Sequence, residues 1–354
     1  MASKKIIAAL LALLLLAGAV LGTGCKSSPA VITLGSVTVT EDVYTYWLSC
    51  YKYLYLSRYM DLGIRDTEEG WGEIYREGKS YGEVFRDSIE QDLRRRIAAA
   101  ALFDANGLSL SAAARQEIAA KMDDVFYYEE NADRNAAFGK YGTDEAGARQ
   151  VAVLETKYDL YFTALFGSDQ SKIYDEVYRE ETDAYYEKNV RRVKVIFVPK
   201  GTDCADLSDA MSTMTERDFE YYAEKYNDDE MLDLSEFPDG LYLLDDADYN
   251  RSSLIEFPEM LQIALRAKER ECLSTATAEG TYFVYRCMLP EDGYRDEANA
   301  EMLSEFAYYC AHSIYLDHLN EKLKEITVLP ECPALPMHEI LTNREYNVVA
   351  MIGN

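Results

Sequence analysis

Apolar residues recur at every third or fourth position through long stretches of this chain. At Val193 that rhythm gives way to a run of β-branched and aromatic residues. Val31-Ile32-Thr33-Leu34 and Val37-Thr38-Val39-Thr40 bracket Gly35-Ser36 and predict a small hairpin. Thr40-Glu41-Asp42 then starts a helix whose apolar stripe is Tyr44, Trp47, Leu48, Tyr51, Leu54 and Tyr55. Phe85, Ile89, Leu93 and Ile97 stand four apart in a second long helix, which stops at Asn106-Gly107, a C-cap signal. Ser109 or Ser111 restarts a helix toward Val125. Thr143-Asp144-Glu145 opens another, carrying Val151, Leu154, Tyr158, Tyr161 and Leu165 and ended by Gly167. A further helix is expected over residues 169–188.

Residues 193–198, Val-Lys-Val-Ile-Phe-Val, end at Pro199-Lys200-Gly201 and read as a strand followed by a turn. Helical stretches near 205–226 and 254–267 and a second strand over 281–288 make the region a compact α+β insert. Helix returns over 295–326, with an apolar seam through Leu303, Ala307, Cys310, Ile314, Leu319 and Leu323 that needs a partner face. The tail, with Pro330, Pro333 and Pro336, reads as an extended strap with a last strand or short helix near 337–351. The expected fold class is α+β, mostly helical, with the N- and C-terminal segments together forming the helical part.

The first residues add an address. Lys4 and Lys5 precede an apolar run from Ile6 to Leu21, then Gly22-Thr23-Gly24-Cys25. A plain secretory signal has no use for a cysteine directly after its small residues. The order resembles the lipobox of bacterial lipoproteins, which implies a diacylglycerol on Cys25, a membrane anchor on the extracytoplasmic face and Lys26-Ser-Ser-Pro29 as the tether. The run is also shorter than the roughly 20 residues of a membrane-spanning helix.

The formal net charge of −27 disfavours nucleic acid and anionic lipid as partners. Apart from Cys25, the cysteines are Cys50, Cys204, Cys272, Cys287, Cys310 and Cys332; none forms a CxxC pair, and there are three histidines, so no metal or other cofactor is expected. Cys272 and Cys287 flank Glu279-Gly280 symmetrically, which makes a cross-strand disulfide conceivable, although buried free thiols are the favoured state. Asp245-Asp246-Ala247-Asp248 lacks EF-hand spacing and reads as a solvated acidic loop.

Four segments, in order, resemble the PrsA/SurA-like extracytoplasmic foldases, in which a helical chaperone domain is interrupted by a parvulin peptidyl-prolyl isomerase domain. They are residues 31–42; Asn106-Gly-Leu-Ser-Leu-Ser111 with Tyr141-Gly-Thr-Asp-Glu145; Ala184-Tyr-Tyr-Glu-Lys-Asn189 running into Arg192–Val198; and Phe219–Asp229. The resemblance implies a signal peptide over 1–24, a tether over 25–30, a helical SurA-N-like domain over 31–190, a parvulin-like domain over 191–291 and a C-terminal helix and tail over 292–354 completing the helical domain. It also implies unfolded or newly exported polypeptides as partners, and leaves a homodimer open.

The chain departs from the family where the chemistry sits. Parvulins place one histidine in the first strand and another in the last, facing each other beneath the substrate proline; here those places hold Val195 and Phe283, and the insert has no histidine. The carboxylate near the twisting carbonyl corresponds to Asp228 or Asp229. Isomerisation about X–Pro breaks no covalent bond and needs only a pocket that lowers a rotational barrier of roughly 18–20 kcal/mol. Leu254, Ile255, Phe257, Met260, Tyr282 and Phe283 are the apolar residues expected to hold peptide, with the insert's own core as their competing use. A degenerate foldase is therefore expected, acting chiefly as a chaperone. The 29 tyrosines, several in pairs such as Tyr127-Tyr128, Tyr185-Tyr186 and Tyr221-Tyr222, suit broad contact with clients. The competing expectation is a solute-binding or adhesion lipoprotein, which would normally show repeated strand–helix alternation, absent from residues 41–190.

Overall fold

A computed structural model describes residues 28–228, 239–245, 258–300 and 303–350. The chain divides into two units, one running up to Tyr158 and resuming at Lys322, the other spanning Asp159–Glu321. In chain order the first holds β1 (Ala30–Leu34), β2 (Val37–Thr40), α1 (Glu41–Arg58), α2 (Glu68–Gly72), β3 (Ile74–Arg76), β4 (Lys79–Ser80), α3 (Tyr81–Ala105), α4 (Ala112–Asp124), α5 (Arg134–Gly139) and the start of α6 (Glu145–Phe166). The second holds the end of α6, then α7 (Arg179–Asn189), β5 (Val190–Pro199), α8 (Ala205–Ala210), α9 (Glu216–Tyr226), β6 (Leu241–Leu244), α10 (Pro258–Arg266), β7 (Cys272–Ala276), β8 (Gly280–Cys287) and most of α11 (Phe306–Leu323). β9 (Thr327–Val328) belongs to the first unit again. The fold is α+β.

The first unit is closed by its tail. β9 pairs antiparallel with β1, placing Val328 opposite Ile32, so chain segments from both ends share one small sheet. Beyond it the strap is fastened to α1 and α3 by side chains of either partner that donate to the other's backbone carbonyls. The buried Lys52 donates to Ile340 O at 2.5 Å and pairs with Asp66 at 2.6 Å. Arg86 donates to Pro333 O at 3.1 Å, Tyr46 Oη to Tyr346 O at 2.5 Å, and Asn347 Nδ2 to Cys50 O at 3.0 Å. A buried polar group must find such partners, because leaving one unmade costs about 1–3 kcal/mol. Residues 337–350 are turns rather than the expected strand or short helix; their asparagines hydrogen-bond their own backbone, as where Asn343 Oδ1 accepts from Tyr346 N.

Helices α1, α3 and α6 meet around one buried carboxylate. Glu155 accepts from Trp47 Nε1 at 3.0 Å, Tyr51 Oη at 2.7 Å and Arg96 Nε at 2.7 Å. The Arg96 guanidinium also lies over the rings of Tyr51 and Tyr158, 5.0 and 4.7 Å from their centroids. Burial works against its charge, and Glu155 restores it, holding Arg96 above the ordinary arginine range. Around Phe85 a second cluster gathers Tyr55, Tyr59, Trp71, Tyr75 and Tyr81, with ring centroids 5.2 to 6.3 Å away.

In the second unit the sheet order is β6-β5-β8-β7, all pairs antiparallel. The strand expected at 193–198 extends over 190–199, and the one expected at 281–288 is β8. The stretch expected as one helix over 205–226 is two, because Thr215 forms a capping box with Asp218 and starts α9 afresh. The helix expected at 169–188 is α-helical only from Arg179: Gln170 is left-handed at φ +57° and Asp175 is extended, breaking the early part into short turns. The helix expected over 295–326 likewise settles to α11, whose buried Tyr315 packs on Tyr161, Phe162 and Phe166 of α6 at 5.9, 5.2 and 6.5 Å. All six described cysteines are free thiols, Cys272 and Cys287 among them.

Candidate peptide-binding face of the sheet

Side chains alternate across a strand, so β5 and β8 each serve two faces. On one, Val193 and Val195 of β5 meet Val284 of β8 and Met260, Ile263 and Ala264 of α10, with Leu241, Leu243, Leu273 and Tyr282 packed at the margin. On the other, Ile196 and Val198 meet Phe283, Tyr285 and Cys287 of β8, Leu207 of α8, and Phe219 and Ala223 of α9. α10 and α9 therefore cover opposite faces.

This register corrects the expectation that Val195 and Phe283 face each other. Val195 is paired with Val284, and Phe283 with Ile196. Phe283, 2 % exposed, is turned to the α9 face and is part of its core. Met260 and Tyr282 share the α10 face, so the structure brings these two together and separates Phe283 from them. Leu254, Ile255, Phe257 and Asp229 lie outside the described residues, as does Cys25.

Where the α10 face reaches the end of β5, the rings of Phe197 and Tyr282 meet at 4.8 Å, tilted by 43°, both half-buried. The turn after α9 is fastened there: Phe197 N donates to Asn227 Oδ1 at 2.9 Å, and Asp228 N donates to Phe197 O at 3.1 Å. The exposed Asp228 is thus held beside the aromatic pair by backbone contacts. Neither Phe197 nor Val284 was singled out from sequence; alternation counted forward from Tyr282 would have found Val284, and the pairing register was the missing information.

The face offers apolar and aromatic contact and one neighbouring carboxylate, and no imidazole. His312 stacks on Tyr308 at 6.1 Å in α11, and His338 lies on the strap of the first unit. A general acid–base step has no histidine here to serve it. Val193, Val195, Val284, Met260, Ile263 and Ala264 are buried beneath α10, so the part of this face left open to contact is its end, at the half-buried Phe197 and Tyr282.

The opposite face carries the insert's buried charge. Lys194, with its side chain 2 % exposed, pairs with Glu216 at 3.1 Å and with Glu220, both on α9; Arg192 reaches Glu216 at 3.4 Å. Burial disfavours the ammonium, but hydrogen bonds to Glu220 and Glu216 outweigh it and hold Lys194 above the ordinary lysine range. These bonds tie α9 to β5 and account for a buried charge, Lys194, between the buried Val193 and Val195. Tyr185 and Tyr186 are buried, whereas Tyr127 and Tyr128 are 70 and 93 % exposed and Tyr221 is 61 % exposed, so the tyrosine pairs divide between core and surface.

No protein-family model and no curated protein matches the sequence. Among solved structures the chain is similar to PrsA from Bacillus subtilis, at 16% identity with 71% of this chain and 90% of that chain covered and a TM-score of 0.25. It is similar also to the foldase protein PrsA from Lactococcus lactis, at 11% identity, 86% and 96% coverage and a TM-score of 0.24. A third similarity is to the foldase protein PrsA from Streptococcus pneumoniae, at 13% identity, 84% and 93% coverage and a TM-score of 0.23.

Proposed function

We propose that this chain is a foldase-type chaperone, lipid-anchored through Cys25 on the outer face of the membrane, that holds newly exported polypeptides and whose parvulin-like sheet is silent or nearly so as an isomerase. The observation that carries the reading is the α10 face. It buries Val195, one of the two places where the resemblance calls for an imidazole, leaves the other, Phe283, on the opposite face, and keeps a half-buried aromatic pair, Phe197 and Tyr282, beside the backbone-anchored Asp228. The aromatic pair at its end supplies contact for an apolar residue, and the histidine pair of the parvulin pattern is lacking.

The anchoring part rests on the lysines, apolar run and small residues before Cys25. Placing a holding chaperone there puts it where unfolded chains emerge. The test of holding is light scattering of a chemically denatured client diluted into the full chain. Protection that weakens in a Phe197→Ser/Tyr282→Ser double variant supports the reading, and scattering equal to that of buffer alone removes it.

A further inference from the structure

We infer that the first unit contains a second peptide site, a groove between α2, the start of α3 and the strap, built for an extended apolar segment carrying a lysine or arginine. This inference rests on the chaperone reading for its biological use and on the groove alone for its chemistry. The groove has a volume of about 530 Å³, within the range of about 300–1,000 Å³ typical of ligand pockets. Its apolar lining comes from Trp71 of α2 and from Leu335, Pro336 and Met337 of the strap. The strap is held beside α3 as a fixed wall, because Arg86 grips Pro333 O on one side of it and Lys52 grips Ile340 O on the other.

The charge around this lining decides the occupant. Four carboxylates, Glu68, Glu83, Asp87 and Glu90, line the groove against two cations, Lys79 and Arg86. Both cations are engaged: Lys79 pairs with Asp87 at 3.1 Å, and Arg86 with Glu90 at 2.6 Å while also bonding Tyr44 and the strap. Glu68, exposed in the first turn of α2, and Glu83 are left without an ion-pair partner among the described residues. An anionic segment finds no free cation in the groove. A cationic one finds Glu68 beside the apolar wall, while Glu83 is already engaged by Ser80 N and Oγ in the capping box of α3.

The mouth of the groove also admits a decisive plug. A Cβ added at Gly72, which lines the groove at the end of α2, meets nothing within 4 Å, so a side chain can begin there without a clash at its first carbon, and Gly72→Phe is the substitution chosen to fill the mouth.

The experiment is fluorescence anisotropy of a labelled ten-residue peptide of alternating leucine and lysine titrated with the full chain, its leucine–glutamate counterpart serving as the second arm. The inference expects the basic peptide to bind at least ten-fold tighter than the acidic one. Glu68→Lys should weaken it about five-fold at low salt, and less at high salt, as for an exposed charge. Gly72→Phe should weaken it ten-fold or more at an unchanged unfolding midpoint. Since the whole surface is acidic, the plug is the deciding arm: a basic peptide that binds Gly72→Phe within two-fold of wild type is held elsewhere, and the groove assignment falls. Acidic and basic peptides binding equally overturn the occupant's charge. A chain that protects a denatured client while failing the peptide test loses the groove and keeps the chaperone reading; one that binds peptide through the groove yet never protects a client loses the chaperone reading alone.

Discussion

Glu155→Ala should be the most damaging single change in the helical unit. The Glu155 side chain is 4 % exposed and its Arg96 partner 19 %, so the carboxylate lies out of water and the guanidinium is largely withdrawn from it. Removing one partner of a buried pair costs about 3–5 kcal/mol, because the other charge stays buried and unmatched. Trp47 Nε1 and Tyr51 Oη lose their acceptor as well, at about 1–3 kcal/mol for an unsatisfied group. These losses overlap, since they share one carboxylate, and together come to about 4–6 kcal/mol. A domain of this kind has only about 5–15 kcal/mol in total, so the variant should be close to unfolding at ambient temperature. Replacing both Glu155 and Arg96 by Leu should recover the part of the loss due to the unmatched charge, while Trp47 Nε1 and Tyr51 Oη still lack their acceptor. Both tryptophans, Trp47 and Trp71, lie in the first unit, so urea unfolding followed by tryptophan fluorescence reports on that unit alone. A shift below about 1 kcal/mol at constant slope, or a double variant as unstable as the sum of the singles, would refute the reasoning.

Lys52→Met should cost about 2–4 kcal/mol, the lower part of the buried-pair range because Asp66 is one-third exposed, and should render residues near Ile340 sensitive to protease; a tail as resistant as wild type would show that the Lys52 contact does not hold it. Burial raises the thiols of Cys50, Cys272, Cys287 and Cys310 from near 9 to about 12, so they stay protonated in the fold while the unfolded chain ionises. Stability should therefore fall as pH rises from 9 toward 12, by about 1 kcal/mol per thiol at pH 10, and a urea midpoint unchanged between pH 8 and 10 contradicts this. Gly280→Ala should disrupt the β5–β8 pairing, because its Cβ would stand 2.2 Å from Val198 O; circular dichroism melting at the wild-type temperature would show that the strands can shift to admit it. Cys25→Ser should release the chain into the medium, and retention in the membrane fraction would speak against the anchor.

Much of the helical framework was legible because it is written in long apolar periods with capping residues at their starts, as at Ser111 and Asp144. Ser80, which caps α3 through a box with Glu83, is the same signal. Two strands of the sheet were legible from β-branched density. β6 and β7 were not: Leu241-Tyr-Leu-Leu244 is four residues long, and Cys272-Leu-Ser-Thr-Ala276 has too little apolar content to mark a strand. Their pairing comes from neighbours far along the chain. The same non-local fact decided the site. A one-residue difference in register sends a side chain to the other face of a sheet, which is why Phe283 joined the α9 core while Tyr282 stayed with Met260. The groove of the first unit was invisible from sequence because its walls, α2 and the strap, lie more than 250 residues apart and are brought together by Lys52 and Arg86. Neither lysine nor arginine announces in sequence that its partner will be a backbone carbonyl.

The account stands most directly on the refolding of a client whose slow phase is limited by prolyl isomerisation, a step of tens of seconds without a catalyst. With the full chain at micromolar concentration, light scattering and the slow refolding rate are recorded in the same sample. The account predicts scattering suppressed and a slow-phase rate equal to the uncatalysed one. Scattering as high as in buffer, or a slow phase accelerated several-fold, would contradict it.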